Sequence, residues 1–379
     1  MKKVLHISNW YPNKWNDLEG IFVKEQFDVF SKVTKSTMLN VQVREGEKLL
    51  SYKYIQYSDN EEGYYLFSKI KSQKIIEILT TFLVLYALYK SRYKNYEVLH
   101  FHIAYPLLTY YSWWKKIIKI PILISEHWSA YHFNFYMPRE TNKLNRIKDI
   151  FKQKIPLITV SGALLKDIQK FSNADNFPAY VIPNVIDTKV YKQQDLHSKN
   201  NIPQFFIVNL WRSIKKPYPM LEAFTRLFDE GIDFQLKIGG YGPILEEMKD
   251  FVRKRGLDDH VIFLGKMYKN EIAKEMNCAD AYLFSSEYET FSVVCAEALS
   301  CGCPLIGPHI PAIREYTEKD NITLLKSNNV EGWEIALKIF LKTKENFNHA
   351  KIAQKAESFL SHEKIKEQYI SIIDKVNND

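Results

Sequence analysis

The residue pair best suited to chemistry in this sequence is Glu289 and Glu297, which have seven residues between them. Carboxylates accept hydrogen bonds from paired hydroxyl groups, so both side chains suit the hydroxyls of a sugar or a ribose. A surface loop acid and a solvated helix residue would also explain two such glutamates. The elements that position them decide between these interpretations.

The segment around this pair has the pattern of a strand, a polar loop and a helix. Residues 281–284 form a short apolar run, and Thr290 or Ser292 is suited to capping a helix that ends near Gly302. Free N–H groups and the helix dipole at such a start form a site for a diphosphate. We therefore assign Thr290, Phe291 and Ser292 to a diphosphate-binding turn.

Three basic residues follow another apolar run, residues 205–208. They are Arg212, Lys215 and Lys216, and a helix pattern begins just after them. A leaving diphosphate needs its growing negative charge met by cations or N–H donors that are already in place. The three side chains suit that task, although three solvated basic residues in a loop would have the same pattern.

Glycines occupy two further turns that follow strands. Gly20 comes after the loop that follows the first strand, and a glycine lets the backbone approach a ligand closely. Gly240 and Gly242 follow the run at residues 235–238, but the six-residue dinucleotide pattern is absent there. We interpret both as parts of a turn beside a nucleotide.

His127 follows an apolar run that ends at Ile124, so we expect it at the carboxyl end of a strand. A single histidine is often only a satisfied structural residue, but ligands bind at this end of parallel strands. Glu126 would orient the loop. His100 and His102 alternate on a strand, and we expect them to line the fold instead.

Short apolar runs alternate with helix-like segments along the whole chain, twice over. This pattern predicts an α/β fold of two Rossmann-like domains, each with a doubly wound parallel sheet, facing each other across a cleft. The 379 residues are enough for two such domains. We predict an N-terminal domain over 1–187, a linker over 188–201, a C-terminal domain over 202–360, and a helix over 361–379 that packs back on the N-terminal domain.

The charge is distributed unevenly between the two halves. Residues 1–200 carry 29 Lys and Arg against 18 Asp and Glu, whereas the remainder carries 23 against 26. A basic half attracts nucleic acid, anionic lipid or phosphorylated substrates. No nucleic-acid motif or dense basic block is present, so we exclude nucleic acid. The aromatic and lysine-rich segment 111–119 suits an anionic bilayer surface, although an ordinary helix packed on its sheet would also explain it.

Metal and disulfide chemistry are not indicated by the sequence. Asp258, Asp259 and Asp280 form no Asp-x-Asp motif beside a strand, so we predict no metal and no bound cofactor. Cys301 and Cys303 lack a second ligand pair and are interpreted as packed thiols. The four cysteines lie within one short region, which favours a reducing compartment, and we predict a cytoplasmic protein.

The motifs in their order along the chain resemble glycosyltransferase family 4. The segment from Glu289 to Pro304 is similar to the E-x7-E and EAL-x-x-G-x-P signature of that family. The blocks 159–161, 181–187 and 237–243 also resemble the family's blocks. The resemblance covers most of the chain and implies a GT-B fold with retaining, metal-independent transfer of a hexose from a nucleotide-diphosphate sugar.

The resemblance also implies a role for individual residues. Glu289 would bind the hydroxyls of the sugar, Glu297 the ribose, and His127 the donor sugar near the reacting centre. Lys215 matches the lysine that grips the diphosphate, and Arg212 would be its arginine, closer in sequence than is usual in the family. A UDP-sugar is the expected donor, with a guanosine-linked mannose next, and front-face attack through an oxocarbenium-like state is the expected mechanism.

The expected acceptor is a lipid-linked glycan or a polysaccharide in cell-surface glycan synthesis, such as lipopolysaccharide or capsule. The enzyme would then lie at the inner face of the plasma membrane. Two alternatives remain at this point. A GT-B sugar-nucleotide epimerase would need no acceptor, and a catalytically silent glycan-binding subunit would transfer nothing.

Overall fold

The structure is a computed structural model that describes residues 1–137, 139–194 and 202–378. The chain divides into two compact units. Unit 1 consists of Met1–Val185 together with His362–Asp379, and unit 2 consists of Ile186–Ser361. The predicted domain boundary at residue 187 lies two residues from this division. Residues 195–201 of the predicted linker lie outside the described residues.

Unit 1 is built on an eight-stranded sheet with the strand order β3-β4-β2-β1-β5-β6-β7-β8. All pairs in it are parallel except β3 with β4. The central strands are buried on both faces, which explains why they read as continuous apolar runs. The strands are β1 (Lys3–Ser8), β2 (Lys35–Glu45), β3 (Ser51–Ser58), β4 (Glu61–Ser68), β5 (Val98–His102), β6 (Ile122–Glu126), β7 (Leu157–Thr159) and β8 (Ala179–Val181).

The sequence did not predict β2, β3 and β4. The edge strand β3 is largely exposed and carries polar residues such as Lys53, so it lacks the apolar pattern of a core strand. It pairs antiparallel to β4, and β4 pairs parallel to β2. Unit 1 is thus a parallel sheet extended at one edge by a hairpin, a common arrangement in large α/β sheets.

The helices of unit 1 cover its sheet, and the last of them comes from the end of the chain. Tyr369 of that helix stacks on Phe30, with ring centroids 3.6 Å apart and an interplanar angle of 8°. Among the described helices, none combines the length and the apolar character needed to cross a bilayer. The helices are α1 (Ile21–Phe30), α2 (Gln73–Lys90), α3 (Tyr111–Trp114), α4 (Asn142–Phe151), α5 (Gly162–Ser172) and, after those of unit 2, α13 (His362–Asn378).

Unit 2 has a six-stranded parallel sheet with the order β11-β10-β9-β12-β13-β14. Its core joins buried strand residues to the apolar faces of α6 and α11. The strands are β9 (Gln204–Leu210), β10 (Gln235–Tyr241), β11 (Val261–Gly265), β12 (Ala281–Leu283), β13 (Leu305–Gly307) and β14 (Ile322–Leu324). The helices are α6 (Pro217–Asp229), α7 (Leu245–Lys254), α8 (Lys269–Cys278), α9 (Val293–Ser300), α10 (Pro311–Arg314), α11 (Val330–Thr343) and α12 (His349–Leu360).

Candidate active site

The predicted site residues of unit 2 follow three neighbouring parallel strands. β10, β9 and β12 are adjacent in the sheet, so the loops after them emerge at the same edge. Those loops carry Gly242, Lys215 and Glu289 respectively. Ligands of open parallel sheets bind beyond the carboxyl ends of the strands, and this edge is therefore the candidate site of the unit.

Lys215 and Glu289 are in direct contact at this edge. The Lys215 ammonium donates to Glu289 Oε1 at 2.7 Å, and the Ser286 hydroxyl donates to the same oxygen at 2.7 Å. The Ser285 hydroxyl donates to the Lys215 carbonyl oxygen at 2.5 Å, which fastens the loop after β12 to the turn after β9. Glu297 lies on the second turn of α9 and is only 8% exposed.

The other two basic residues of the turn are more exposed than Lys215. The Arg212 side chain is exposed and forms no ion pair with any residue that the structure describes. Lys216 adopts a left-handed conformation, and its ammonium lies 3.7 Å from a carboxylate oxygen of Glu287. The turn therefore presents one exposed, unpaired guanidinium next to a lysine that is already paired.

Helix α9 begins directly after the loop that carries Glu289. Ser292 stands at its N-cap position with φ 68°, and its hydroxyl does not cap the helix. Of the two residues predicted to suit capping, Thr290 or Ser292, Ser292 does not cap the helix, because this backbone conformation is not the extended one that a capping serine adopts. Thr290 lies two residues earlier, and the Tyr316 hydroxyl holds the turn by donating to the carbonyl oxygens of Phe291 and Ser292. The first N–H groups of α9 have no capping hydroxyl from Ser292.

The glycines at these turns are required by close backbone contacts. A Cβ at Gly240 would lie 1.9 Å from the Asn209 carbonyl oxygen of the neighbouring strand, and the φ of Gly240 is 105°. A Cβ at Gly20 would lie 2.3 Å from the Trp10 carbonyl oxygen. The expectation that Gly20 leaves room for a ligand therefore needs correction, because the space at its Cβ is taken by the chain itself.

His127 and Glu126 lie at the end of β6 in unit 1. Burial lowers the pKa of His127 to about 3 and raises the pKa of Glu126 to about 7. Glu126 Oε1 accepts hydrogen bonds from the Tyr131 hydroxyl and the Ala104 N–H, which fixes the loop between β6 and α4. Both ring nitrogens of His127 are buried, and the lowered pKa keeps the imidazole neutral.

Among the described residues, one group of histidines is spaced closely enough to hold a metal ion: His6, His100 and His102. All three are fully buried on β1 and β5. Their nitrogens are largely occupied, because His6 Nδ1 contacts His102 Nε2 at 3.0 Å and His100 contacts the hydroxyls of Tyr369 and Ser125. The group is better described as a hydrogen-bonded network that lines the fold, as predicted for His100 and His102.

Sequence reasoning missed an aromatic cluster at the carboxyl ends of β1, β5 and β6. The ring of Trp128 lies 5.1 Å from that of Trp10 and 6.4 Å from that of Tyr105. The Tyr105 hydroxyl donates to the buried carboxylate of Glu77, which also pairs with Arg146 at 2.7 Å. No local pattern predicts this cluster, because its three aromatic residues come from separate parts of the chain.

Comparison with known proteins finds glycosyltransferase relatives of this chain. The sequence model of the family described as Glycosyl transferases group 1 matches residues 191–370. N-acetyl-alpha-D-glucosaminyl L-malate synthase of Bacillus anthracis is 26% identical over 296 residues, which are 74% of this chain and 74% of that protein. An N-acetylgalactosaminyltransferase of Campylobacter jejuni, named for a diphospho-undecaprenol acceptor, is 28% identical over 46% of this chain and 47% of its own.

The fold has close counterparts among solved structures. HepE of Anabaena, in complex with UDP, superimposes with a TM-score of 0.75 and 15% identity over 99% of this chain and 100% of its own. The likeness establishes the GT-B fold of two parallel-sheet α/β domains. The family model and the curated relatives confirm the resemblance of the sequence motifs to a glycosyltransferase family. The chain is a glycosyltransferase, and its residues 191–370 match the group 1 glycosyl transferases.

Proposed function

We propose that this enzyme transfers a hexose from a nucleotide-diphosphate sugar, preferably a UDP-sugar, to a lipid-linked or polysaccharide acceptor with retention of configuration. The observation that carries the proposal is the contact of Lys215 with Glu289 beside the start of α9. A cation, a sugar-binding carboxylate and the start of a helix are what a nucleotide-diphosphate sugar requires. The UDP complex of HepE supports uridine as the base.

The proposed reaction needs charge stabilisation at the leaving group. The oxygen of an acceptor hydroxyl forms the new bond to the anomeric carbon, and the hydroxyl proton is released. The nucleoside diphosphate departs with the electron pair of the broken C–O bond. Lys215, Arg212 and the N–H groups of α9 would neutralise its charge, so we propose that the chemistry proceeds without a metal ion.

A membrane location is supported by the surface of unit 1. Phe82, Tyr86 and Tyr89 follow one another at helical spacing on the outward face of α2, and all three are exposed. Trp113, which is 58% exposed, contacts Phe82 with ring centroids 6.3 Å apart. The segment 111–119 is helical only over its first four residues. No longer helix forms there to cover the exposed rings of Phe82 and Trp113. Aromatic and basic residues together suit the interface of an anionic bilayer, where a lipid-linked acceptor would be found.

The assignment of the site is tested by Glu289→Ala and Lys215→Ala. Both variants should lose transfer from radiolabelled UDP-sugars to membrane-derived acceptors while keeping the circular dichroism and thermal unfolding of the wild type. Glu331→Ala and Lys254→Ala change the same residue types at exposed helix positions of unit 2 and should transfer normally. Full activity of both site variants would refute the assignment, and adding EDTA tests whether a metal is needed.

A further inference from the structure

We propose that this enzyme binds its acceptor through an uncharged sugar ring, in a groove at the end of β2 in unit 1. This inference rests on the proposed function, since it names the chemical class of the acceptor. The groove consists of two cavities of about 340 and 260 Å³. Four residues line both cavities, and we name the pair the β2 groove: Val43, Arg44, Glu45 and Ile76.

The position of the β2 groove fits a substrate site. β2 and β1 are parallel neighbours, and the groove lies where both strands end, beside Asn9 and Trp10 of the loop after β1. This is the edge of a parallel sheet at which ligands bind. The larger cavity has the size of a small binding site, at the lower end of the range of about 300–1,000 Å³.

The charges that line the groove cancel one another. Arg44 Nη1 lies 3.2 Å from Glu19 Oε2, and the Lys71 ammonium lies 3.8 Å from a carboxylate oxygen of Glu45. An anionic ligand such as a dicarboxylate or a phosphate would have to compete with Glu19 for the guanidinium. A neutral ligand with many hydroxyl groups keeps the ion pairs and gains hydrogen bonds to both signs of charge.

The uncharged residues of the groove also suit a sugar. Asn9 lines the larger cavity and its buried Oδ1 accepts no hydrogen bond from any described residue, so a rotation of the side chain toward the groove would offer this acceptor to a ligand hydroxyl. Trp10, Ile76 and Pro106 provide apolar walls for the C–H face of a sugar ring. Thr80 lines the same cavity from α2, the helix whose other face carries the exposed aromatic residues. A lipid-linked sugar would therefore contact the groove face of α2 with its sugar, while the aromatic face of the same helix contacts the bilayer that holds the lipid.

The test uses the full-length protein and saturation-transfer NMR with methyl α-glycosides of glucose, galactose and mannose as probes. At least one glycoside should give signals with the wild type, and malate and glycerol 3-phosphate should give none. Val43→Phe fills the groove, and Arg44→Gln removes the guanidinium that holds its wall. Each should weaken the glycoside signal at least fivefold. Val181→Phe, on the exposed strand β8, and Arg92→Gln should leave it unchanged.

Two outcomes would overturn the inference. One is a glycoside signal that Val43→Phe leaves intact, and the other is binding of the anionic probes in place of the glycosides. Thermal shift with UDP-glucose on the same samples separates this result from the proposed function. A wild type that binds UDP-glucose but shows either outcome refutes only the groove, whereas absence of nucleotide-sugar binding by any donor refutes the proposed function.

Discussion

The ammonium of Lys215 lies 2.7 Å from Glu289 Oε1, so the two residues assigned to the nucleotide sugar form an ion pair with each other. Each side chain is about one-fifth exposed. A diphosphate that recruits Lys215 must therefore compete with Glu289 for the same cation. The sugar hydroxyls of a complete donor compensate for the lost ion pair, because they donate hydrogen bonds to the Glu289 carboxylate after Lys215 has moved to the diphosphate.

The first prediction concerns UDP without a sugar. Glu289→Gln removes the competing charge, and we expect UDP to bind about two- to fivefold more tightly, the equivalent of a partly exposed ion pair of up to ~1 kcal/mol. Lys215→Met should weaken UDP binding. Titration calorimetry at fixed ionic strength measures both effects. Equal UDP affinity in Glu289→Gln and the wild type would show that the ion pair does not oppose binding.

Features that depend on neighbouring residues in the sequence are predicted well, whereas features that depend on which strands pair are not. The apolar runs interpreted as strands, such as residues 205–208, 235–238 and 281–284, each overlap a strand of the structure, because central parallel strands are buried on both faces. The exposed strand β3 has no such pattern and was not predicted. Lys215 and Glu289 were identified from their own motifs, but their contact depends on the adjacency of β9 and β12. Arg44 was missed because only the pairing of β2 with β1 places it beside Trp10.

The second prediction is that acid destabilises unit 1 well above the pH at which ordinary, exposed carboxylates titrate. Burial lowers the pKa of His6 and His127 to about 3, and also lowers the pKa of His100 and His102. Below pH 6.5 the unfolded chain binds protons that the folded chain does not, so stability falls between pH 6.5 and 3. Within this window, each such histidine lowers the free energy of unfolding by about 1.4 kcal/mol for each pH unit of acidification. Chemical denaturation at pH 7.5, 5.5 and 4.5 measures the slope.

Glu126 should partly offset the loss of stability of unit 1 in acid, and a variant of this residue isolates its effect. Burial raises its pKa to about 7, so the folded state binds the extra proton between pH 4.5 and 7 and gains stability as the pH falls. Glu126→Gln removes that gain, and the loss of stability on acidification from pH 7 to 4.5 should then be steeper than in the wild type. An equal or shallower slope would contradict the assigned pKa direction.

The third prediction concerns the attachment of the C-terminal helix. The Tyr369 hydroxyl of α13 is 2.9 Å from His100 Nδ1, and both side chains are fully buried. Tyr369→Phe keeps the ring stacked on Phe30 but leaves a buried imidazole nitrogen without a partner, which costs about 1–3 kcal/mol. Urea denaturation measures the loss, and hydrogen exchange should show faster exchange in α13. Tyr89→Phe, at a position that is 75% exposed, is the control and should be neutral.

The fourth prediction tests the membrane surface of unit 1. Lys116 and Lys119 are exposed in the segment that follows Trp113, and Phe82 of α2 contacts Trp113. Each lysine near an anionic surface contributes about 1 kcal/mol, so Lys116→Gln and Lys119→Gln should each weaken binding to phosphatidylglycerol-containing vesicles about fivefold. Phe82→Ser combined with Trp113→Ser should remove the component of binding that persists in high salt, because salt screens the lysines but not the buried apolar area.

Sedimentation with vesicles of phosphatidylcholine alone and with added phosphatidylglycerol measures these effects. Lys254→Gln removes an exposed lysine of unit 2 and should bind like the wild type. Transfer to a water-soluble methyl glycoside should be unchanged in all the surface variants, since the substituted residues line neither the donor edge nor the β2 groove. Wild-type binding to both kinds of vesicle in the double aromatic variant and in both lysine variants would mean that the bilayer contacts another surface, or none.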